Sequence, residues 1–293
     1  MSTEPTLAAL ELPVADSTAL ADYWALTKPE VNFLIVITTF AGFYLGCAAQ
    51  PRDVSLLLLM NALVGTLLVA SGAGTLNQYI ERGFDAGMRR TARRPLAAGR
   101  LNPTVALWFG VTLSALGSIY LAATVNGLAS LLAVFTLLSY LFVYTPLKRK
   151  TPICTLAGAI PGAMPPLIGW AAASGKLTVE AWMLFAVLFL WQFPHFMAIA
   201  WMYREDYERA GYRVLPDGLV RAPFASLQTL VPLLALVAVS LLYSGAAALL
   251  SLGFFYYGLQ FAFRKSISTA RRLLAASIVH LPLLFALMTL TRR

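Results

Sequence analysis

Nine long apolar stretches, separated by short polar segments, account for most of this chain. They begin near Val31, Val54, Thr104, Asn126, Ile153, Thr178, Pro223, Ser244 and Arg271, and each runs for roughly 17 to 25 residues, enough for an α-helix to cross the hydrocarbon of a bilayer. The pattern predicts an all-α polytopic membrane protein of nine transmembrane helices. Ahead of them, residues 1–21 carry carboxylates but no Lys, no Arg and no apolar run, so they lack the basic start and apolar centre of a secretory signal. They read as a disordered cytoplasmic leader before a single membrane domain over residues 22–293.

Composition agrees: the chain is 59% hydrophobic and 12% charged, with a mean hydropathy of +0.73, far from the values of a soluble domain. A net charge of +9 would ordinarily raise nucleic acid as a partner, but the distribution of that charge points to a lipid bilayer instead. With the N-terminus in the cytoplasm, Lys28, Arg82 to Arg100, Lys148 to Lys150, Arg204 to Arg221 and Arg264 to Arg272 place 18 of the 22 cations inside. Arg52, Lys176, Arg292 and Arg293 remain outside, as does the C-terminus. This is the positive-inside asymmetry expected of an inner-membrane protein with nine crossings. Cys47 and Cys154 fall in apolar stretches without CxxC spacing, and read as buried thiols rather than as metal ligands or a disulfide.

The acids carry the chemistry. Six of the 13 lie in two segments predicted at the cytoplasmic face: Glu81 and Asp85, then Glu205, Asp206, Glu208 and Asp217. Asn77, Glu81 and Asp85 are spaced i, i+4 and i+8, so on a continuing helix they share one face. A row of oxygen ligands suits a hard cation such as Mg²⁺, which prefers carboxylate, water and phosphate. Asn77 belongs to an apolar helix, where a polar side chain is expensive and usually functional. Directly downstream stand Arg89, Arg90, Arg93 and Arg94, whose guanidinium forks match phosphate oxygens. Lys148 and Arg149 add a basic element at the same face, read either as topology signals or as ligand contacts. The second segment, Tyr203 to Gly211, repeats Tyr79, Glu81, Ala86 and Gly87 as Tyr203, Glu205, Ala210 and Gly211, the sign of a weak parallel repeat.

The segments Leu26 to Pro29, Asn77 to Asp85, Arg90 to Leu96, Tyr144 to Arg149, Trp191 to Phe196 and Tyr203 to Pro216 closely resemble the UbiA superfamily of intramembrane prenyltransferases. Within it, the resemblance is to the protoheme IX farnesyltransferases, or heme O synthases. It implies nine helices around a central cavity, with two acidic motifs that bind Mg²⁺ and prenyl diphosphate. Carried over, the first motif is Asn77, Glu81 and Asp85, and the second centres on Asp206, with Glu205 as an alternative ligand. Glu81 stands where the superfamily commonly has Asp, and Arg209 to Ala210 leaves the second motif without its final Asp.

The substrates implied are farnesyl diphosphate and heme B, and the implied partner is a downstream heme-modifying enzyme or terminal oxidase assembly. Arg89, Arg90, Arg93, Arg94, Lys148, Arg149, Tyr203 and Tyr207 are the expected substrate contacts. Tyr140, Tyr144, Trp191, Phe193, Phe196 and Trp201 lie at depths where aromatic faces stabilise an allylic cation or simply form the core and interfacial belt. His195, about three turns and roughly 16 Å before Asp206 if the helix continues, either ligates heme iron or is a structural histidine. His280 stays open. A quinone-pathway prenyltransferase, a transporter with broken helices and a heme redox protein are the competing readings; a transporter would bury its ion site near the midplane, whereas these acids gather at one face, and a heme redox protein leaves the acidic motifs without a role.

Overall fold

A computed structural model describes residues 18–48 and 55–291. The expected leader up to Ser17, together with Arg52, Arg292 and Arg293, lies outside the described residues. Nine helices among the described residues are long and apolar enough to cross a membrane, and their starts fall within a few residues of those read from the apolar pattern.

A short helix precedes them. α1 (Ala19–Leu26) is capped by the Thr18 side chain, which accepts from the Ala21 amide. It is too short to span and packs Leu26 against Leu96 and Ala106. α2 (Pro29–Ala48) follows. α3 (Leu56–Asp85) has 30 residues, about 45 Å of helix against roughly 30 Å of hydrocarbon. Its last turns therefore continue beyond the apolar layer with the first acidic motif on them. α4 (Pro103–Thr124) is capped by Asn102, and α5 (Gly127–Leu138) by Asn126.

After α5 the chain widens into a π-helical turn, Ser139–Tyr144, before α6 (Thr145–Leu147). Pro146 accounts for it. Proline has no amide hydrogen to continue the i to i−4 ladder, and the Thr145 amide bonds back to Tyr140 O instead. The fifth span is also interrupted, between α7 (Cys154–Gly162) and α8 (Met164–Ser174), where Pro161, Pro165 and Pro166 flank Ala163. α8 crosses α2 at very close range: a Cβ on Gly42 would overlap the Pro166 backbone and one on Gly169 the Thr39 carbonyl. Close backbone approach through small residues is how helices pack in lipid.

α9 (Val179–Met202) ends at Tyr203, whose φ of −110° and ψ of 20° leave the helical region, so Asp206 sits on a separate helix, α10 (Arg204–Arg209). The depth expected for His195 is corrected accordingly: it is seven residues, about 10 Å, inside the end of α9 rather than three turns above Asp206 on one continuous helix. α11 (Arg221–Leu241), α12 (Gly245–Arg264) and α13 (Ile267–Thr291) complete the bundle, with α9 packed on both α11 and α13.

Candidate functional site

The three oxygen-bearing side chains of α3 form one buried row: Asn77 is 1%, Glu81 4% and Asp85 2% exposed. Each faces a different cation. Lys28 Nζ donates to Asn77 Oδ1 at 2.6 Å. Lys148 Nζ donates to both Glu81 oxygens at 2.8 and 3.0 Å. Arg94 donates to Asp85 Oδ2 at 2.7 Å. Three elements distant in sequence thus converge on one face of α3, as its i, i+4, i+8 spacing requires.

Local structure aims each cation. Lys28 has φ 55°, a left-handed conformation that costs a side-chain-bearing residue about 1–2 kcal/mol. Its turn is held by Gln78, which donates to Ala25 O and Leu26 O, and by Asn32, which donates to Thr27 O and Ser71 Oγ. Lys148 follows the π turn. The same turn directs Thr145, which donates to Tyr140 O and accepts from Asn77 Nδ2, and Tyr144, whose ring lies 4.7 Å from the Lys148 ammonium. Arg94 is carried by a loop fastened at two points: Thr91 Oγ1 donates to Asp85 O, and Arg100 grips buried Asp22 of α1 through Nε and a terminal nitrogen at 2.9–3.1 Å.

The electrostatics follow from burial. Desolvation, helped by Arg94 and Lys148, lowers the Lys28 ammonium to a pKa of about 7, with Glu81 and Asp85 opposing. Burial also works against charge on Lys148, but Tyr144 and Glu81 outweigh it and hold Lys148 well above the usual lysine value.

The second acidic segment packs against the first. Met88, Ala210 and Tyr212 form a small core with Phe84 and Tyr207, and a Cβ on Gly87 would lie 3.6 Å from Ala210. Arg90 reaches the Tyr207 hydroxyl at 3.5 Å and lies over the Tyr203 ring, while Arg149 covers Phe84. Asp206 is largely buried and pairs with Arg209 at 3.2 Å; Glu205 points outward, 77% exposed, against Arg204. The repeat of Tyr79 to Gly87 does not extend to environment, since Glu81 is enclosed and Glu205 is not. Arg89 and Arg93 are exposed, and the Arg93 carbonyl accepts from Arg100.

Among the expected aromatic residues, Tyr140 and Tyr144 stack at 5.5 Å, and Trp191 stacks on His195 at 4.6 Å. Trp201 serves packing: its indole donates to Lys265 O and its ring meets Phe261. His195 Nδ1 lies 2.8 Å from Ser277 Oγ on α13. His280 is buried against Phe254, with Nε2 3.0 Å from Ser251 Oγ. Among the described residues no group of three or more His, Cys, Asp or Glu side chains is gathered so as to hold a metal ion; Glu81 and Asp85 pair with Lys148 and Arg94 instead.

Sequence reasoning missed Lys28, Thr145 and Ser277. Lys28 could have been singled out as a charge immediately before Pro29 at the start of an apolar helix. The other two become visible only through tertiary contacts.

Residues 35–287 match the UbiA prenyltransferase family. The chain is 46% identical over 289 residues to a protein of Solibacter usitatus named protoheme IX farnesyltransferase, covering 93% of this chain and 99% of that one. A protein of the same name in Koribacter versatilis is 43% identical, with 93% and 94% covered. The fold is similar to a digeranylgeranylglyceryl phosphate synthase structure at a TM-score of 0.75 and 17% identity, over 93% and 98% of the two chains. It is also similar to a UbiA homolog from Archaeoglobus fulgidus bound to GPP and Mg²⁺, at 0.63 and 17%, over 91% and 99%. On the match to most of its length and on these relatives, the chain belongs to the UbiA prenyltransferase family.

Proposed function

We propose that the chain transfers the farnesyl group of farnesyl diphosphate to a vinyl group of heme B, giving heme O and diphosphate at the cytoplasmic face of a bacterial inner membrane. The observation that carries this reading is the row of Asn77, Glu81 and Asp85, each met by Lys28, Lys148 or Arg94. Relatives named protoheme IX farnesyltransferase support the choice of acceptor, and the cation distribution supports the orientation.

The donor set fits Mg²⁺. Three oxygen-bearing side chains share one buried helix face, and Asp206 lies on the segment packed against it. All are hard ligands of the kind that Mg²⁺ takes together with substrate phosphates. When bound there, the metal neutralises charge developing on the diphosphate as the allylic carbon–oxygen bond breaks.

The chain's own groups do the remaining work. Lys28 is already aimed at Asn77, and Lys148 and Arg94 at the two acids. With metal and diphosphate bound at those side chains, the cations would lie within reach of phosphate oxygens without being recruited from solvent, which is electrostatic preorganisation. Arg90 and Arg149 extend the positive surface. The stacked Tyr140 and Tyr144 offer their faces to the allylic cation. The vinyl π electrons then form the new carbon–carbon bond, and water adds to the resulting cation with loss of a proton. No general base is required to start the sequence. The product passes to a heme-modifying enzyme or terminal oxidase assembly.

The test is acceptor choice. Purified protein in lipid, given Mg²⁺ and farnesyl diphosphate, should consume heme B and leave an aromatic quinone precursor unprenylated. Prenylation of the aromatic acid with heme B untouched would move the chain to the quinone branch.

A further inference from the structure

His195 and Ser277 meet where α9 packs on α13, and the hydrogen atoms at this contact can be assigned. Ser277 Oγ lies 2.6 Å from Leu274 O and 2.8 Å from His195 Nδ1. A carbonyl and a hydroxyl oxygen at 2.6 Å repel unless a hydrogen lies between them, so the single serine proton points to Leu274 O. The proton at the second contact must then come from the ring: Nδ1–H donates to Ser277 Oγ. In a neutral imidazole that leaves Nε2 with a bare lone pair. Among the described residues no hydrogen bond occupies Nε2, and His195 as a residue is half-buried.

Two more contacts fix the ring. Trp191 stacks on it at 4.6 Å with 25° between planes, and the Trp191 indole N–H is held by the Ser277 carbonyl at 2.9 Å. Ser277, itself 0% exposed, thus anchors both the imidazole and the indole beneath it. His280 differs on each count. It is 2% exposed, engages Ser251 through Nε2, and its buried Nδ1 has no hydrogen-bond partner, so it offers no accessible lone pair.

We infer that Ser277 is a positioning residue that locks His195 in the Nδ1–H tautomer and presents Nε2 to the iron of the heme acceptor, with Trp191 fixing the plane. This rests on the heme reading above. Such outer partners orient a ligating imidazole and raise its basicity, and losing one typically weakens metal affinity about 10- to 100-fold. The heme acceptor would then be oriented by an imidazole fixed on α9.

Two measurements on the full-length protein in lipid nanodiscs test this. The first uses heme-free protein: nitrogen chemical shifts of ¹⁵N-histidine should give one histidine, removed by His195→Ala, with Nδ1 protonated and Nε2 bare. A protonated Nε2 on that histidine overturns the inference. The second is titration with heme B, read by absorption and by the iron–histidine stretch of the ferrous state. Ser277→Ala should weaken heme binding about 10- to 100-fold and shift the stretch, and Ser277→Thr should restore both, while Mg²⁺-dependent farnesyl diphosphate binding stays unchanged throughout. If Ser277→Ala does not fold, Trp191→Phe, which keeps a ring but loses the indole donor, should shift the same stretch. An unaltered stretch and affinity in a folded Ser277→Ala or Trp191→Phe protein overturns the inference. Conversion of heme B by a protein whose spectrum lacks an iron–histidine bond would sink this inference alone; no heme binding by the unaltered chain would sink the acceptor reading as well.

Discussion

Farnesyl diphosphate affinity should depend on pH through Lys28, which faces Asn77 of the α3 row. Its amine is lowered to about 7 by burial and by Arg94 and Lys148, so the ligand-free protein loses that proton as pH rises through 7. A bound Mg²⁺–diphosphate with one net negative charge near 4 Å interacts with the ammonium by about 4 kcal/mol at an effective dielectric of 20. That is roughly three pKa units, and it returns Lys28 to about 10. Between those values binding takes up one proton. Affinity should therefore fall close to tenfold per pH unit, or about 20-fold from pH 7.5 to 9.0; phosphate ionisation, with a second pKa near 6, is complete over that range. The same lowered value means that charged Lys28 costs the folded state stability below pH 7. That cost is relieved as pH rises toward the unfolded lysine value, because the unfolded chain then binds more protons than the folded one. Isothermal titration with Mg²⁺ and a non-hydrolysable farnesyl diphosphate analogue at several pH values would measure the slope. Lys28→Arg, which keeps its proton, should flatten it, and Lys28→Met should bind weakly with no slope. An equal slope in Lys28→Arg would exclude Lys28 as the titrating group.

Replacing Asp85 or Asp206 by Asn should lower turnover at least about 10²- to 10³-fold in folded protein, and near-normal rates at saturating Mg²⁺ would remove the metal assignment. Glu81→Asp should retain substantial activity, because it restores the usual carboxylate; steady-state kinetics would decide. Asp22→Asn breaks the double grip on Arg100, whose side chain is 25% exposed. Discounted for that exposure, the loss should be about 1–3 kcal/mol of stability, read as a lower denaturant midpoint, and an unchanged midpoint would mean that the loop is held elsewhere. Reporters fused to the termini should place the N-terminus in the cytoplasm and the C-terminus outside; both on one side would contradict an odd number of crossings.

The spans were legible because apolar runs of bilayer length leave little ambiguity, and the α3 motif because a helix repeats its face every three to four residues. What lay beyond the pattern arises from contacts between distant segments. The i, i+4, i+8 row marked Asn77, Glu81 and Asp85 as ligands but could not tell that Lys28, 49 residues upstream of Asn77, faces the first of them. α1 escaped notice because eight residues with a buried Asp22 make no membrane-length signal; only Arg100 and the Leu26 cluster explain its position. The π turn follows from Pro146, yet the consequence, Thr145 reaching Asn77, needs α3 beside it. His195 was marked by being an ionisable group in an apolar helix. Ser277 was not, since a serine in such a helix ordinarily bonds its own backbone.

If the α3 row ionises farnesyl diphosphate and the farnesyl group passes directly to a heme vinyl, diphosphate release and heme modification are one event. A single-turnover reaction of the purified protein with heme B, farnesyl diphosphate and Mg²⁺ in ¹⁸O-water tests it most directly, with released diphosphate and the mass of the heme measured together. One diphosphate should appear for each heme that gains both a farnesyl chain and a hydroxyl carrying ¹⁸O. Diphosphate released alongside unaltered heme and free farnesol would contradict it.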